Sequence, residues 1–138
     1  MWDEISKRFD KKVRLAQRKV PESNDTQIAG SYGQNIRGVR AYPRYKVELR
    51  VLLTGRWSVI PEAFWINARD VGEGGMGADV PILLQEGEIV LLDLMLADQV
   101  LSLPAVVRYQ TGPIHGFQFI AITEEQRITI RQYCQSKR

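Results

Sequence analysis

One cysteine and one histidine are present among 138 residues. Cys134 cannot close a disulfide within the chain. It has no cysteine or histidine neighbour at metal-ligand spacing, so neither a disulfide framework nor a zinc site is supported. Cys134 is expected as a small buried apolar side chain, and His115, between Thr111-Gly112-Pro113 and a strand, as a surface or loop residue. Also missing is any apolar run approaching the roughly 18 residues of a membrane-spanning helix. The first residues mix Asp, Glu, Lys and Arg where a secretory leader would be apolar. A cytoplasmic protein without a transmembrane segment is the expectation. The sequence holds no nucleophile–base pair, no set of metal ligands and no Walker-type loop. Catalytic residues, metal ligands and cofactors are therefore assigned to none of its positions.

What is present is enough apolar material, 44 % of the residues, for one globular domain with a short appendage. The net charge of +3 is unevenly spread: residues 1–44 carry ten Lys or Arg against five Asp or Glu, and residues 45–138 carry nine against eleven. A basic N-terminal third suits an anionic partner or a solvated arm.

Trp2, Ile5, Phe9, Val13 and Ala16 recur at spacings of three and four, with Lys7, Lys11, Lys12, Arg14 and Arg18 largely off that stripe. This pattern predicts an amphipathic basic helix over residues 1–20, with Asp3 and Glu4 in its first turn and Pro21 at its end. Its apolar stripe is suited to packing on the domain or to self-association as a homodimer. Polar, turn-rich residues 21–36 read as a linker.

From Tyr45 the period changes to two. Val47, Leu49, Val51 and Leu53 alternate with charged residues up to Gly55, and Phe64, Ile66 and Ala68 alternate likewise before the glycine cluster. Further strands are predicted over Ile89 to Leu96, from Leu101 to the break at Thr111-Gly112-Pro113, and around Phe117 and Phe119. Thr123 and Gln126 can form a capping box for a last helix whose apolar face includes Ile130, Tyr133 and Cys134, and Glu124 and Glu125 suit its N-terminus. Short strands separated by turns indicate an all-β antiparallel sandwich or barrel.

Two elements carry chemistry. Arg40-Ala41-Tyr42-Pro43-Arg44 places two arginines four apart, and Pro43 favours an extended chain in which both point to one side. A guanidinium matches the O6/N7 edge of guanine with two parallel hydrogen bonds, and its charge also serves a phosphate. Together with Arg37 they form a basic arm leading into the first strand. The second element is Asp70-Val71-Gly72-Glu73-Gly74-Gly75, a carboxylate that can accept from guanine N1 and N2 beside backbone that lets a nucleotide approach closely.

In this order, RxxxR and then an acid with glycines, followed by the tail Ala105-Val106-Val107-Arg108 through Gly116-Phe117-Gln118-Phe119 to Gln126-Arg127, roughly residues 37–136 resemble the PilZ family, within a domain expected over 37–138. The resemblance implies a six-stranded antiparallel β-barrel with a C-terminal helix. It also implies no catalysis and a role as a cyclic di-GMP receptor that signals through an effector protein in motility, attachment or exopolysaccharide control. It places ligand-binding roles on Arg40, Arg44, Asp70, Gly72, Gly74 and Gly75, with Arg37 and Arg108 as further candidates. Gly72 stands where the family motif has serine. Loss of that hydroxyl's hydrogen bond would weaken binding by roughly a few-fold to a hundred-fold.

The alternative is a PilZ-like adaptor that does not bind the nucleotide and acts only through protein contacts. A nucleic-acid-binding barrel is not favoured, because Trp57 and Trp65 read as packing residues and no aromatic platform is interleaved with basic residues.

Overall fold

The computed structural model describes residues 42–56 and 60–136, together with Lys7 and Asp10. Six strands and one helix follow in order: β1 (Arg44–Gly55), β2 (Glu62–Gly72), β3 (Gly75–Asp79), β4 (Ile89–Met95), β5 (Val100–Thr111), β6 (Ile114–Phe119) and α1 (Glu124–Ser136). All neighbours pair antiparallel, and the strand order β1-β2-β3-β6-β5-β4 closes into a barrel as β4 returns to β1. Closure removes the exposed sheet edges that an open six-stranded sheet would present.

The alternation seen in the sequence places Leu49, Val51 and Leu53 of β1 inside, facing Ile66 and Ala68 of β2, Leu92 and Leu94 of β4, and Leu103, Ala105 and Val107 of β5. Phe117 at the centre of β6 is fully buried. β3 is the one strand that periodicity does not reveal, since Gly75-Met76-Gly77-Ala78-Asp79 reads as a turn cluster. Only Met76 and Ala78 mark its inner face.

The capping box of α1 is formed in both directions: Thr123 N–H donates to Gln126 Oε1 at 2.9 Å, and Gln126 N–H to Thr123 Oγ1 at 3.1 Å. Ile130 and Cys134 of α1 are buried against the barrel and Tyr133 is half-buried. The Cys134 thiol points at the Val71 carbonyl, and burial pushes its pKa up to about 11.

His115 is not a surface residue. Its ring is fully buried, with Nε2 accepting the Leu84 N–H and Nδ1 donating to the Pro113 carbonyl, both at 3.0 Å. These partners require the neutral imidazole with its proton on Nδ1. Trp65 is also not a core residue; it lies exposed on the outer face of β2 beneath the Arg50 guanidinium, 4.4 Å from the ring centroid.

Of the helix expected over residues 1–20, only Lys7 and Asp10 are described, both in helical conformation, and Asp10 Oδ1 accepts from Arg56 at 2.8 Å. The rest of that helix, the linker at 21–36, Arg37, Arg40 and Trp57 lie outside the described residues. No helix among the described residues is long and apolar enough to cross a membrane.

Candidate functional site: a glycine floor between Asp70 and Tyr109

Period two running from the inward Ala68 would point Asp70 into the core. A bulge prevents this: Ala68 and Asp70 oppose the consecutive residues Ala78 and Gly77, so Arg69 is an extra residue that turns the following carboxylate outward. Val71 then resumes the inner face and is fully buried. β5 repeats the device. Val107 and Tyr109 oppose the consecutive Phe117 and Gly116, and the extra residue Arg108 turns Tyr109 outward. The registers thus align Asp70, Gly77, Gly116 and Tyr109 in one row across β2, β3, β6 and β5.

The two central residues of that row are glycines with side chains set close above them. A Cβ on Gly116 would lie 2.0 Å from the Tyr109 ring, so the aromatic side chain lies flat on bare backbone. A Cβ on Gly77 would meet both Asp70 oxygens at 3.2 Å. Gly77 thus lies under the Asp70 carboxylate and Gly116 under the Tyr109 ring, a row of backbone covered by one charged and one aromatic side chain.

Arg44, the first residue of β1, completes the acidic end. Its Nη1 donates to Asp70 Oδ1 at 3.1 Å, and the same oxygen accepts the Gly77 N–H at 3.0 Å. The guanidinium also overlies Gly75, where a Cβ would come within 3.1 Å of Nη2. The pair is only partly withdrawn from water, the Asp70 side chain being 33 % exposed and that of Arg44 13 %. Its charges remain within reach of a ligand.

The turn between β2 and β3 is shaped by the arm that precedes β1. Arg44 pairs with Gly72, and a Cβ on Gly72 would stand 2.3 Å from the Pro43 carbonyl oxygen. Main chain occupies that space, so a side chain there would have to push the arm away. The Tyr42 ring covers Gly74, where a Cβ would approach it to 3.2 Å. Arg127 of α1 donates to Tyr42 Oη at 3.0 Å and to Glu124 at 2.6 Å, and these contacts hold its pKa above the ordinary arginine value, the Glu124 bond foremost. Arg131 grips Glu73 through Nε and Nη2, each at 3.1 Å, which raises its pKa likewise.

Of the residues singled out in the sequence, Arg44, Asp70, Gly72, Gly74 and Gly75 therefore meet at one end of the barrel. Arg108 is on the far flank of the strip, bonded through Nε to Gln118, which pairs with Gly75. Sequence reasoning gave no site role to Tyr42, Glu73, Gly77, Tyr109, Gly116, Arg127 and Arg131. Only Gly116, next to a core phenylalanine, carried a signal in the sequence, as a glycine inside a strand pattern.

A family model of the PilZ domain matches residues 38–136. The chain belongs to the PilZ domain family. Solved structures with the same barrel include the PilZ domain of CeSA from a cellulose-synthesizing bacterium, at 15 % identity and a TM-score of 0.55. That match covers 69 % of this chain and 97 % of the other. The PilZ domain of YcgR from Escherichia coli with c-di-GMP is similar at 19 % identity and a TM-score of 0.58, over 70 % of this chain and 89 % of that one. MrkH of K. pneumoniae, solved as its c-di-GMP complex, is similar at 17 % identity and a TM-score of 0.56. There 72 % of this chain matches 52 % of the longer protein. At these identities the likeness is one of fold. No curated protein matches the chain. In this PilZ barrel the two bulges and the glycine floor are what set the site on the outer wall.

Proposed function

We propose that this PilZ protein is a receptor for cyclic di-GMP that acts without catalysis. The observation that carries the reading is the Arg44–Asp70 pair set over Gly75 and Gly77 at the foot of the arginine arm. A guanidinium offers a planar fork to guanine O6/N7 or to a phosphate, and a carboxylate beside it accepts from guanine N1 and N2. Asp70 Oδ1 already takes two donors, so Oδ2 is the oxygen offered to the base. Tyr109, set over Gly116, gives the site an aromatic face beside the Asp70 carboxylate. Arg37 and Arg40, on the arm just before Tyr42, would supply the remaining positive charge, and Arg108 would close the far side.

The solved PilZ structures with c-di-GMP support this choice of ligand. Binding would alter a contact with an effector protein in the cytoplasm, in control of motility, attachment or exopolysaccharide, with self-association through residues 1–20 as a further element of the output.

Calorimetric titration of the whole chain with cyclic di-GMP tests the proposal, with GTP and cyclic di-AMP as controls. Saturable binding of the guanine dinucleotide alone is expected. Its absence would leave a PilZ-like adaptor that works only through protein contacts.

A further inference from the structure

The Gly72–Gly75 turn is held from three sides. The arm lies on it through the Pro43 carbonyl and the Tyr42 ring, β6 binds it through the Phe119 N–H to the Gly74 carbonyl at 2.9 Å, and α1 grips it through Arg131 and Glu73. Arg127 of α1 also reaches past the turn to Tyr42 itself, 85 residues away in sequence, and holds its hydroxyl at 3.0 Å. Glu124 fixes the other end of that guanidinium at 2.6 Å. Tyr42 and Pro43 therefore rest against the turn, fastened by a residue that belongs to neither motif.

We propose that Tyr42 and Arg127 are positioning residues for the nucleotide site: their hydrogen bond latches the arm onto the Gly72–Gly75 turn and presents Arg44 before the ligand arrives. The proposal deepens the receptor reading and rests on it for its ligand. If the binding-competent arm were only fractionally populated, apparent affinity would fall by that fraction, and a latch that raises the population restores it. The coupling is reciprocal, because a nucleotide that favours the docked arm must favour the Tyr42–Arg127 contact by the same factor. Bare backbone at Gly72 and Gly74 is what lets the latch close, since a side chain at either position would meet the Pro43 carbonyl or the Tyr42 ring.

Hydrogen–deuterium exchange of the nucleotide-free chain, joined to titration with cyclic di-GMP, tests the latch. Tyr42→Phe keeps the ring over Gly74 and removes only the acceptor. Exchange over residues 44–46 is expected to quicken, and affinity to fall about threefold to tenfold, the range of one hydrogen bond. Arg127→Ala should reproduce both changes, and the double variant should be no worse than either single one. Glu124→Ala, which frees the far end of the guanidinium and leaves the Tyr42 hydroxyl in place, should quicken exchange over 44–46 less than Arg127→Ala does.

Wild-type exchange and affinity in Tyr42→Phe, additive losses in the double variant, or greater loosening by Glu124→Ala than by Arg127→Ala would each overturn the latch. The exchange measurement needs no ligand. A wild-type chain that fails to bind the nucleotide would therefore sink the receptor reading, while the latch would still stand or fall on its exchange pattern.

Discussion

Arg44 Nη1 lies 3.1 Å from Asp70 Oδ1, joining the first residue of β1 to a carboxylate that a β-bulge has turned out of the barrel. The pair bridges 26 positions of sequence and unites the two motif elements. It is partly exposed, and exposed ion pairs add little to stability, at a median of about 0–1 kcal/mol.

Arg44→Ala is expected to reduce cyclic di-GMP affinity by about 1–3 kcal/mol, the worth of a good bidentate contact to guanine. Its urea midpoint should stay close to that of the wild type. Calorimetry and denaturation together check this, and an unchanged affinity would count against the assigned site.

Gly72→Ser should not improve the receptor, although it introduces the serine that the sequence resemblance led one to expect there. The Pro43 carbonyl fills the space that the new side chain needs, 2.3 Å from its Cβ. Overpacking of this kind typically costs about 1–3 kcal/mol. Lower stability with no gain in affinity is the expected outcome; tighter binding at full stability would show that the arm yields freely.

Gly116→Val tests the floor. The added side chain would collide with the Tyr109 ring, whose nearest atom lies 2.0 Å from the built Cβ. Displacing the ring should weaken nucleotide binding more than Tyr109→Phe does, since the latter keeps the flat contact. Parallel titrations of the two variants decide the point.

His115→Leu should destabilise the fold without touching the ligand site. It leaves the buried Leu84 N–H without its imidazole partner, at a cost of about 1–3 kcal/mol, while the Pro113 carbonyl keeps the Val80 N–H. Denaturant unfolding should show the loss, and the affinity of the folded variant should be unchanged.

Alkaline pH should loosen the packing of α1. Burial raises the Cys134 pKa to about 11 from its ordinary 9.0, and burial raises that of Tyr133 as well. Between these values the unfolded chain gives up the thiol proton while the folded chain keeps it, so the unfolded state binds fewer protons and stability falls as pH rises from 9 toward 11. Below pH 9 this contribution is constant. Melting temperatures across that window, together with slow thiol labelling of the folded protein at pH 8, provide the check.

The alternation of Leu49, Val51 and Leu53, the capping pair Thr123 and Gln126, and the burial of Cys134 were all legible in the sequence, because each follows from spacing along a single element. β3 was not, since glycine at two of its three outward positions, 75 and 77, leaves only Asp79 to mark the polar half of the alternation. His115 misled for a related reason. Its neighbours mark a turn, whereas its burial depends on the loop carrying Leu84, 31 residues earlier in the chain.

By itself, then, the sequence determined which residues could line a barrel wall and which two short segments carried guanine-compatible chemistry, for those properties live in residue type and local period. The tertiary structure alone decided that Asp70 and Tyr109 face outward on one row, that Gly72 makes room for the arm's main chain, and that Arg127 reaches Tyr42. These depend on bulges and on pairing between distant strands. One extra residue in a ladder reverses which face a side chain takes, and no local pattern records which partner that ladder will meet.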